Sequence, residues 1–334
     1  MEQQYDVVVI GGGAAGLSGA LALSRARRSV LVVDSGSPRN APAGHVHNYL
    51  AREGTPPGEL LAIGRAEVAG YGAEVEPGEA VAARAVDDGF AVDLADGRAV
   101  RARRLLVTTG LVDELPNVPG VRELWGSSVL HCPYCHGWEV RDQAIGILST
   151  SPFGVHQAQM WRQWSADVTL FLHTGPEPSD EEWELLAALD VSVVVGEVAA
   201  LESTGDRLTG VRLTSGQVVP RSAVVVAPRF TARSGLLESL GLAAEELEMG
   251  GHVFGSAVPA DPTGLTAVPG VWVAGNVTDL RAQVISSAAA GLNAGAMINA
   301  DLIQEDTRRA VAARQGSSPT DHRELVLGTP RSGN

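Results

Sequence analysis

The strongest constraint on this chain is a glycine turn set between a strand and a helix. Asp6-Val-Val-Val-Ile10 is a short apolar run, and Gly11-x-Gly13-x-x-Gly16 follows it at once. From Ala14 to Ser24 the sequence reads as a helix with Leu17 and Leu21 on one face, and residues 29–34 form a second apolar strand ending in Asp34. Strand, turn, helix, strand is a βαβ unit and implies a parallel sheet. In such a turn the first glycine allows the tight bend, the second lets a pyrophosphate reach the backbone, and the third lets helix and strand pack. Free N–H groups at the helix start favour phosphate, and Asp34, 18 residues beyond Gly16, is placed to accept from ribose hydroxyls. The motif does not choose between FAD and NAD.

A related pattern recurs further along. Residues 90–94, the turn Asp96-Gly97 and Ala99-Val100 read as a hairpin leading into a strand at 105–109. At a constant offset of 119 residues, Val211, Leu213, Gly216, Val219 and Val224-Val-Val226 match Val92, Leu94, Gly97, Val100 and Leu105-Leu-Val107. The second copy also opens with an apolar strand at 144–148, a helix over 157–164 and a strand at 167–172. This predicts an α/β chain with two Rossmann-like, dinucleotide-binding-type domains. Where the second glycine motif belongs stands Leu148-Ser149-Thr-Ser151-Pro-Phe-Gly154. A Cβ at the second glycine obstructs a pyrophosphate. The next strand runs on as Leu172-His-Thr-Gly-Pro176, with neither an arginine for a 2′-phosphate nor an acid for a ribose. The second copy is therefore expected not to take a nicotinamide dinucleotide.

The chain has two cysteines, in His131-Cys132-Pro-Tyr-Cys135-His136. In a reducing compartment such a pair is catalytic or metal-binding rather than a structural staple. A thiolate is the reactive species, and a flanking imidazole can take a thiol proton near neutral pH. An inert buried pair is the plain alternative. Two His and two Cys could also ligate zinc, but near-adjacent side chains rarely converge on one ion, and no metal is expected.

The balance of 39 acidic against 25 basic residues, all of them Arg, gives a net charge of −14 and argues against a nucleic-acid partner. No stretch of 18 or more apolar residues and no secretory leader are visible, so a cytoplasmic location without membrane contact is expected. Trp161 and Trp164 read as core, His45 and His47 as candidates for an active-site wall, and 177–184 as a solvated acidic helix start. Residues 317–334, rich in Ser, Pro, Thr and Gly, read as a flexible tail.

Two further segments carry a resemblance. Gly270-Val-Trp-Val-Ala-Gly-Asn276-Val resembles the second flavin motif of flavoproteins with two dinucleotide-binding domains, with Asn276 in place of the family's acid. Thr108-Thr-Gly110 resembles the Ala-Thr-Gly turn that closes the first half of that flavin domain. With the dithiol just after that half, and with Arg281-Ala-Gln283, nearly the whole chain resembles low-molecular-weight thioredoxin reductases. Cys-Pro-Tyr-Cys-His-Gly-Trp-Glu139, Pro38-Arg-Asn40 and Gly44-His-Val-His-Asn48 are more similar to the natural-product dithiol oxidases of that family, which close the disulfides of gliotoxin and holomycin.

The resemblance implies a discontinuous FAD domain, 1–116 plus 244–316, around a central domain 117–243 that carries the dithiol. It implies FAD held by Gly11, Gly13, Ala15, Gly16, Asp34, Asn40, Asn48, Val81, Thr109, Gly110, Asn276, Gln283 and Val284. It places Cys135 toward the flavin and Cys132 toward substrate, with His136 as base. The expected substrate is a small-molecule dithiol or a pair of thiols, with O2 as acceptor giving H2O2, in a homodimer. A disulfide reductase fed by NADPH or ferredoxin is the second reading. A flavin redox sensor or zinc-binding module is the third.

Overall fold

The computed structural model describes residues 4–315. The first unit runs β1 (Gln4–Ile10), α1 (Ala14–Arg25), β2 (Val30–Asp34), α2 (Pro57–Gly70), β3 (Glu74–Pro77), β4 (Ala80–Val86), β5 (Gly89–Leu94) and β6 (Ala99–Val107). β1 lies between β2 and β6, parallel to both, with Val8 opposite Leu31 and Leu105. The unbroken apolar run of β1 is explained by burial on both faces. Val7 and Val9 pack with Leu17 and Leu23 of α1, while Val8 and Ile10 pack with Phe90 and Val92 of β5.

The second unit runs β7 (Leu111–Glu114), β8 (Val129–Leu130), α3 (Pro133–His136), β9 (Ile145–Leu148), α4 (Gly154–Trp161), β10 (Val168–Phe171), α5 (Asp180–Ala188), β11 (Ser192–Val194), β12 (Val198–Thr204), β13 (Arg207–Leu213), β14 (Val218–Pro220) and β15 (Ala223–Val225). Its parallel sheet has the order β11-β10-β9-β15-β8, and β12-β13-β14 form a separate antiparallel sheet. The order matches the first unit with one break. β6 is a single strand, but its counterpart is split into β14 and β15, with residues 221 and 222 between them. The helix expected over 157–164 starts three residues earlier and stops at Trp161. Trp161 is fully buried, whereas Trp164 lies beyond the helix and packs edge-on against Tyr134 at 5.5 Å. The acidic segment does open a helix: Ser179 and Glu182 form a capping box on α5.

The chain returns through β16 (Arg229–Ala232), α6 (Gly235–Glu238), β17 (Glu245–Met249), β18 (His252–Ala257), β19 (Val271–Val273), a 3-10 turn (Gly275–Val277) and α7 (Val284–Gln315). β16 pairs with β7 and β18, so the outgoing and returning crossovers lie side by side. Ala232, Leu236, Leu237 and Leu242 already pack into the first unit's core. β19 pairs parallel with β6, and α7 crosses α1 in backbone contact. A Cβ on Gly291 would stand 1.9 Å from the Ala15 carbonyl oxygen. Among the described residues no helix is long and apolar enough to cross a membrane. The tail expected at 317–334 lies outside the described residues.

Candidate active site

A cavity of about 1140 Å³ lies between the two units, larger than the roughly 300–1,000 Å³ of an ordinary small-ligand site. Its floor is the first glycine turn. Gly11 takes φ +102° and donates to the Val33 carbonyl at 2.8 Å. A Cβ on Gly16 would lie 1.9 Å from Gly11 O, so Gly16 is fixed by helix–strand packing. A Cβ on Gly13 would meet nothing within 4 Å, so the space beside it is open to a ligand. Asp34 accepts from the Gly12 N–H at 3.0 Å through one oxygen. Ala15, Asn40, Val81, Thr109, Gly110, Asn276, Gln283 and Val284 all stand on the cavity wall. Asn48 stands off it: its side-chain amide donates to the Tyr134 carbonyl and ties a surface loop to the dithiol segment.

Asn276 has a local reason to be an amide. Its Nδ2 donates to the carbonyls of Asp279 and Ala282, each at 2.9 Å, and its Oδ1 accepts from Arg39 at 3.3 Å. A carboxylate would bring an acceptor against two carbonyl oxygens. Sequence reasoning passed over Arg39 itself. Its Nε and Nη2 donate to Asp113 at 2.8 and 2.7 Å, and its guanidinium stands over the Phe230 ring at 5.3 Å. No short motif joins residues 39 and 113, so only the fold shows this pair.

Cys132 precedes the single turn α3, where Pro133 supplies a residue that needs no N–H partner. Both thiols are free. The Cys132 thiol is drawn down to about 7, first because the Cys135 S–H donates to its sulfur and then because the N–H groups of Cys135 and Tyr134 do; burial opposes this. The Cys135 thiol is pushed up, by giving its proton to that bond and by burial. Cys132 is thus the thiolate of the reduced pair.

His136 is held below the usual imidazole range, chiefly by burial, and neither ring nitrogen has a hydrogen-bond partner. It is a neutral imidazole with a free lone pair on the wall that carries both cysteines. His131 is pushed down by burial too, and its Nδ1 lies 3.0 Å from the Val226 carbonyl. A carbonyl only accepts, so the proton is on Nδ1 and the lone pair on Nε2. His45 and His47 also line the cavity. His47 sits between Glu53 at 2.6 Å and Glu139 at 3.5 Å. Among the described residues, no group of three or more His, Cys, Asp or Glu is arranged to hold a metal ion.

The second copy's turn is built differently. Ser149 is buried, and its Oγ lies 2.3 and 2.1 Å from where Cβ atoms of Gly154 and Gly175 would be. Ser149 thus stands where the first unit has Gly11, its hydroxyl packed inside the turn, and Ser151, also buried, stands where the first unit has the open Gly13. The pocket beside it is about 340 Å³ and is lined by His173, Glu177, Trp183 and Glu197 among others.

The family described as pyridine nucleotide-disulphide oxidoreductase matches residues 5–295. A Claviceps purpurea protein named thioredoxin reductase tcpT is 30% identical over 314 residues, spanning 90% of this chain and 95% of its own length. Among solved structures, HlmI superposes with a TM-score of 0.86 at 49% identity, covering 93% of this chain and 96% of that one. An oxidoreductase from Agrobacterium tumefaciens gives 0.84 at 34% identity, covering 90% and 99%. Proteins of this thioredoxin-reductase-like family bind FAD. The open glycine turn, Asp34 and the size of the cavity fit that group.

Proposed function

This chain belongs to the pyridine nucleotide-disulphide oxidoreductase family, with FAD as its cofactor, and within that family we propose that it works as an oxidase of small-molecule dithiols or paired thiols. The observation that carries this reading is the serine turn of the second unit. Ser151 puts a Cβ where a second dinucleotide's pyrophosphate needs a glycine, and the buried Ser149 hydroxyl packs inside the turn against Gly154 and Gly175. Glu177 and Glu197 line the pocket on the Gly175 side, where their charge disfavours a phosphate. With hydride supply from a nicotinamide disfavoured, electrons run from thiol to protein.

The residues act in order. Neutral His136 takes a proton from a substrate thiol. The resulting thiolate attacks Cys132 Sγ of the Cys132–Cys135 disulfide, the Sγ–Sγ bond breaks, and Cys135 leaves with the electron pair and is protonated. A second substrate thiolate then attacks the substrate sulfur of the mixed disulfide and releases Cys132 as a thiolate. The substrate has lost two electrons and two protons, and the cysteine pair has gained the electrons. A low thiol pKa makes Cys132 a good leaving group and stabilises the reduced pair, which makes its disulfide the more oxidising. FAD, when bound, supplies the two-electron acceptor that returns the pair to the disulfide and passes the electrons to O2, giving H2O2. A homodimer and a cytoplasmic location are part of the same reading.

Anaerobic mixing of the flavoprotein with NADPH is expected to leave the flavin's visible absorbance intact, and dithiothreitol to bleach it with peroxide formed on admitting air. Rapid bleaching by NADPH overturns the oxidase and leaves a disulfide reductase. Stoichiometric zinc without flavin leaves a metal-binding module, and full turnover by Cys132→Ser removes the mechanism.

A further inference from the structure

The serine turn of the second unit also sets part of the wall of the dithiol cavity. The Ser149 hydroxyl donates to the Ser151 carbonyl at 3.3 Å, and the Phe153 N–H donates to Ser151 Oγ at 3.4 Å. This fixes Phe153 at the head of α4, where its ring meets His252 of β18 edge-on at 5.6 Å. The contact spans the two units. Phe153, His156 and Met160 fall at i, i+3 and i+7 and share one helical face, and all three line the cavity that holds Cys132 and Cys135. Met249 and Phe254 from the β17–β18 hairpin line it from the returning chain. Met249 is half exposed, so this part of the lining reaches solvent.

We propose that this aromatic and thioether-lined end of the cavity is the seat of an apolar, aromatic small-molecule thiol, with Phe153 as its specificity residue; the proposal rests on the oxidase reading for the direction of the chemistry but not for the binding. The residues suit that ligand. Ring faces and edges pair with an aromatic group at centroid distances of roughly 4.5–7 Å. Methionine side chains repack around irregular shapes and contact rings favourably. Two changes in one turn are thereby linked: the serines that close it to a pyrophosphate also hold the phenylalanine that closes the substrate chamber.

The test uses the flavin-loaded protein, the aromatic 1,2-benzenedimethanethiol and the polar aliphatic dithiothreitol. Phe153→Ala and, on the opposite wall, Met249→Ala are expected to raise KM for the aromatic dithiol about tenfold while leaving its kcat and both constants for dithiothreitol within about twofold. Phe153→Leu, which keeps apolar volume, recovers part of the loss. The S-methylated aromatic dithiol cannot exchange with a disulfide, and calorimetric titration with it reads the chamber without turnover. It is expected to bind the unaltered protein and to weaken about tenfold in both alanine variants. Equal effects on the two dithiols, or methylated-probe binding that is absent or unchanged by both variants, overturns the chamber. Absence of oxygen uptake with either dithiol overturns the oxidase reading alone, since the methylated probe still reports on the chamber.

Discussion

Deleting the Cys135 sulfhydryl should raise the pH at which Cys132 becomes a thiolate. In the structure Cys132 is lowered from 9.0 to about 7, with the Cys135 S–H as the leading cause and two backbone N–H groups behind it. A displacement of that size is worth about 3 kcal/mol between thiolate and thiol, at 1.36 kcal/mol per pH unit. A single hydrogen bond to a charged acceptor supplies roughly 1.5–3 kcal/mol of such a preference. The sulfhydryl therefore accounts for half or more of the effect, and Cys135→Ala should move the midpoint most of the way back toward an ordinary cysteine. At pH 7 the thiolate fraction would fall from about half to a few per cent, on the order of a tenfold loss. Cys135→Ser keeps an O–H donor at the same place and should stay close to the unaltered protein. Ultraviolet thiolate absorbance of the reduced apoprotein against pH gives the midpoint, and iodoacetamide alkylation rates give the reactive fraction. The sign is fixed: thiolate appears as pH rises through the midpoint. A midpoint in Cys135→Ala still near 7, or alkylation of Cys135 ahead of Cys132 in the intact dithiol, would refute the reasoning.

Arg39→Gln removes the cation held by Asp113, which helps to lower the Cys132 thiol and partly offsets the rise at Cys135; the Cys132 thiolate midpoint should rise, less than in Cys135→Ala, with Arg39→Lys intermediate, as read by the same titration. Gly13→Val adds a side chain where the protein itself has open space, so urea unfolding of the apoprotein should change by no more than about 0.5 kcal/mol while bound flavin, measured by visible absorbance, is lost. Gly16→Ala, aimed 1.9 Å from the Gly11 carbonyl oxygen, should instead destabilise the apoprotein by about 1–3 kcal/mol. His131 and His136 both have folded pKa values below the unfolded one; the stability this reflects is present above about 6.5 and lost as pH falls below it, so Tm should drop between pH 7 and 5, and drop less in His136→Asn.

Much of this was legible in the sequence where one residue type answers to one physical demand. Only glycine suits the bend at Gly11 and the contact at Gly16, so the first turn could be read directly, and the constant spacing of hairpin residues exposed the second unit. The helix of that unit was misplaced by three residues because Trp164 continues the apolar pattern while packing on Tyr134 from outside the helix. Asn48 was assigned to the flavin from its place in a motif; what only the structure shows is that its amide donates to the Tyr134 carbonyl of the dithiol segment. Arg39 and Asp113 left no local signal, since a bidentate ion pair between residues 74 apart depends on the fold alone.

The two glycine turns show how one framework comes to hold two different sites. In each, a parallel strand delivers the chain to a helix start, and a single position beside the backbone decides what can approach. At Gly13 that position is empty, and a dinucleotide can lie against it. In the second unit that position is Ser151, whose carbonyl accepts from the Ser149 hydroxyl and whose Oγ accepts from the Phe153 N–H. Restoring glycine at 149 alone should therefore not restore nucleotide binding: Pro152 and Phe153 would remain, as would Glu177 and Glu197 beside the pocket. Ser149→Gly should instead loosen the turn, so its expected result is a higher KM for an aromatic dithiol with no flavin reduction by NADPH. Appreciable NADPH reduction in that variant would mean that the serine alone, rather than the rebuilt turn, separates the two directions of electron flow.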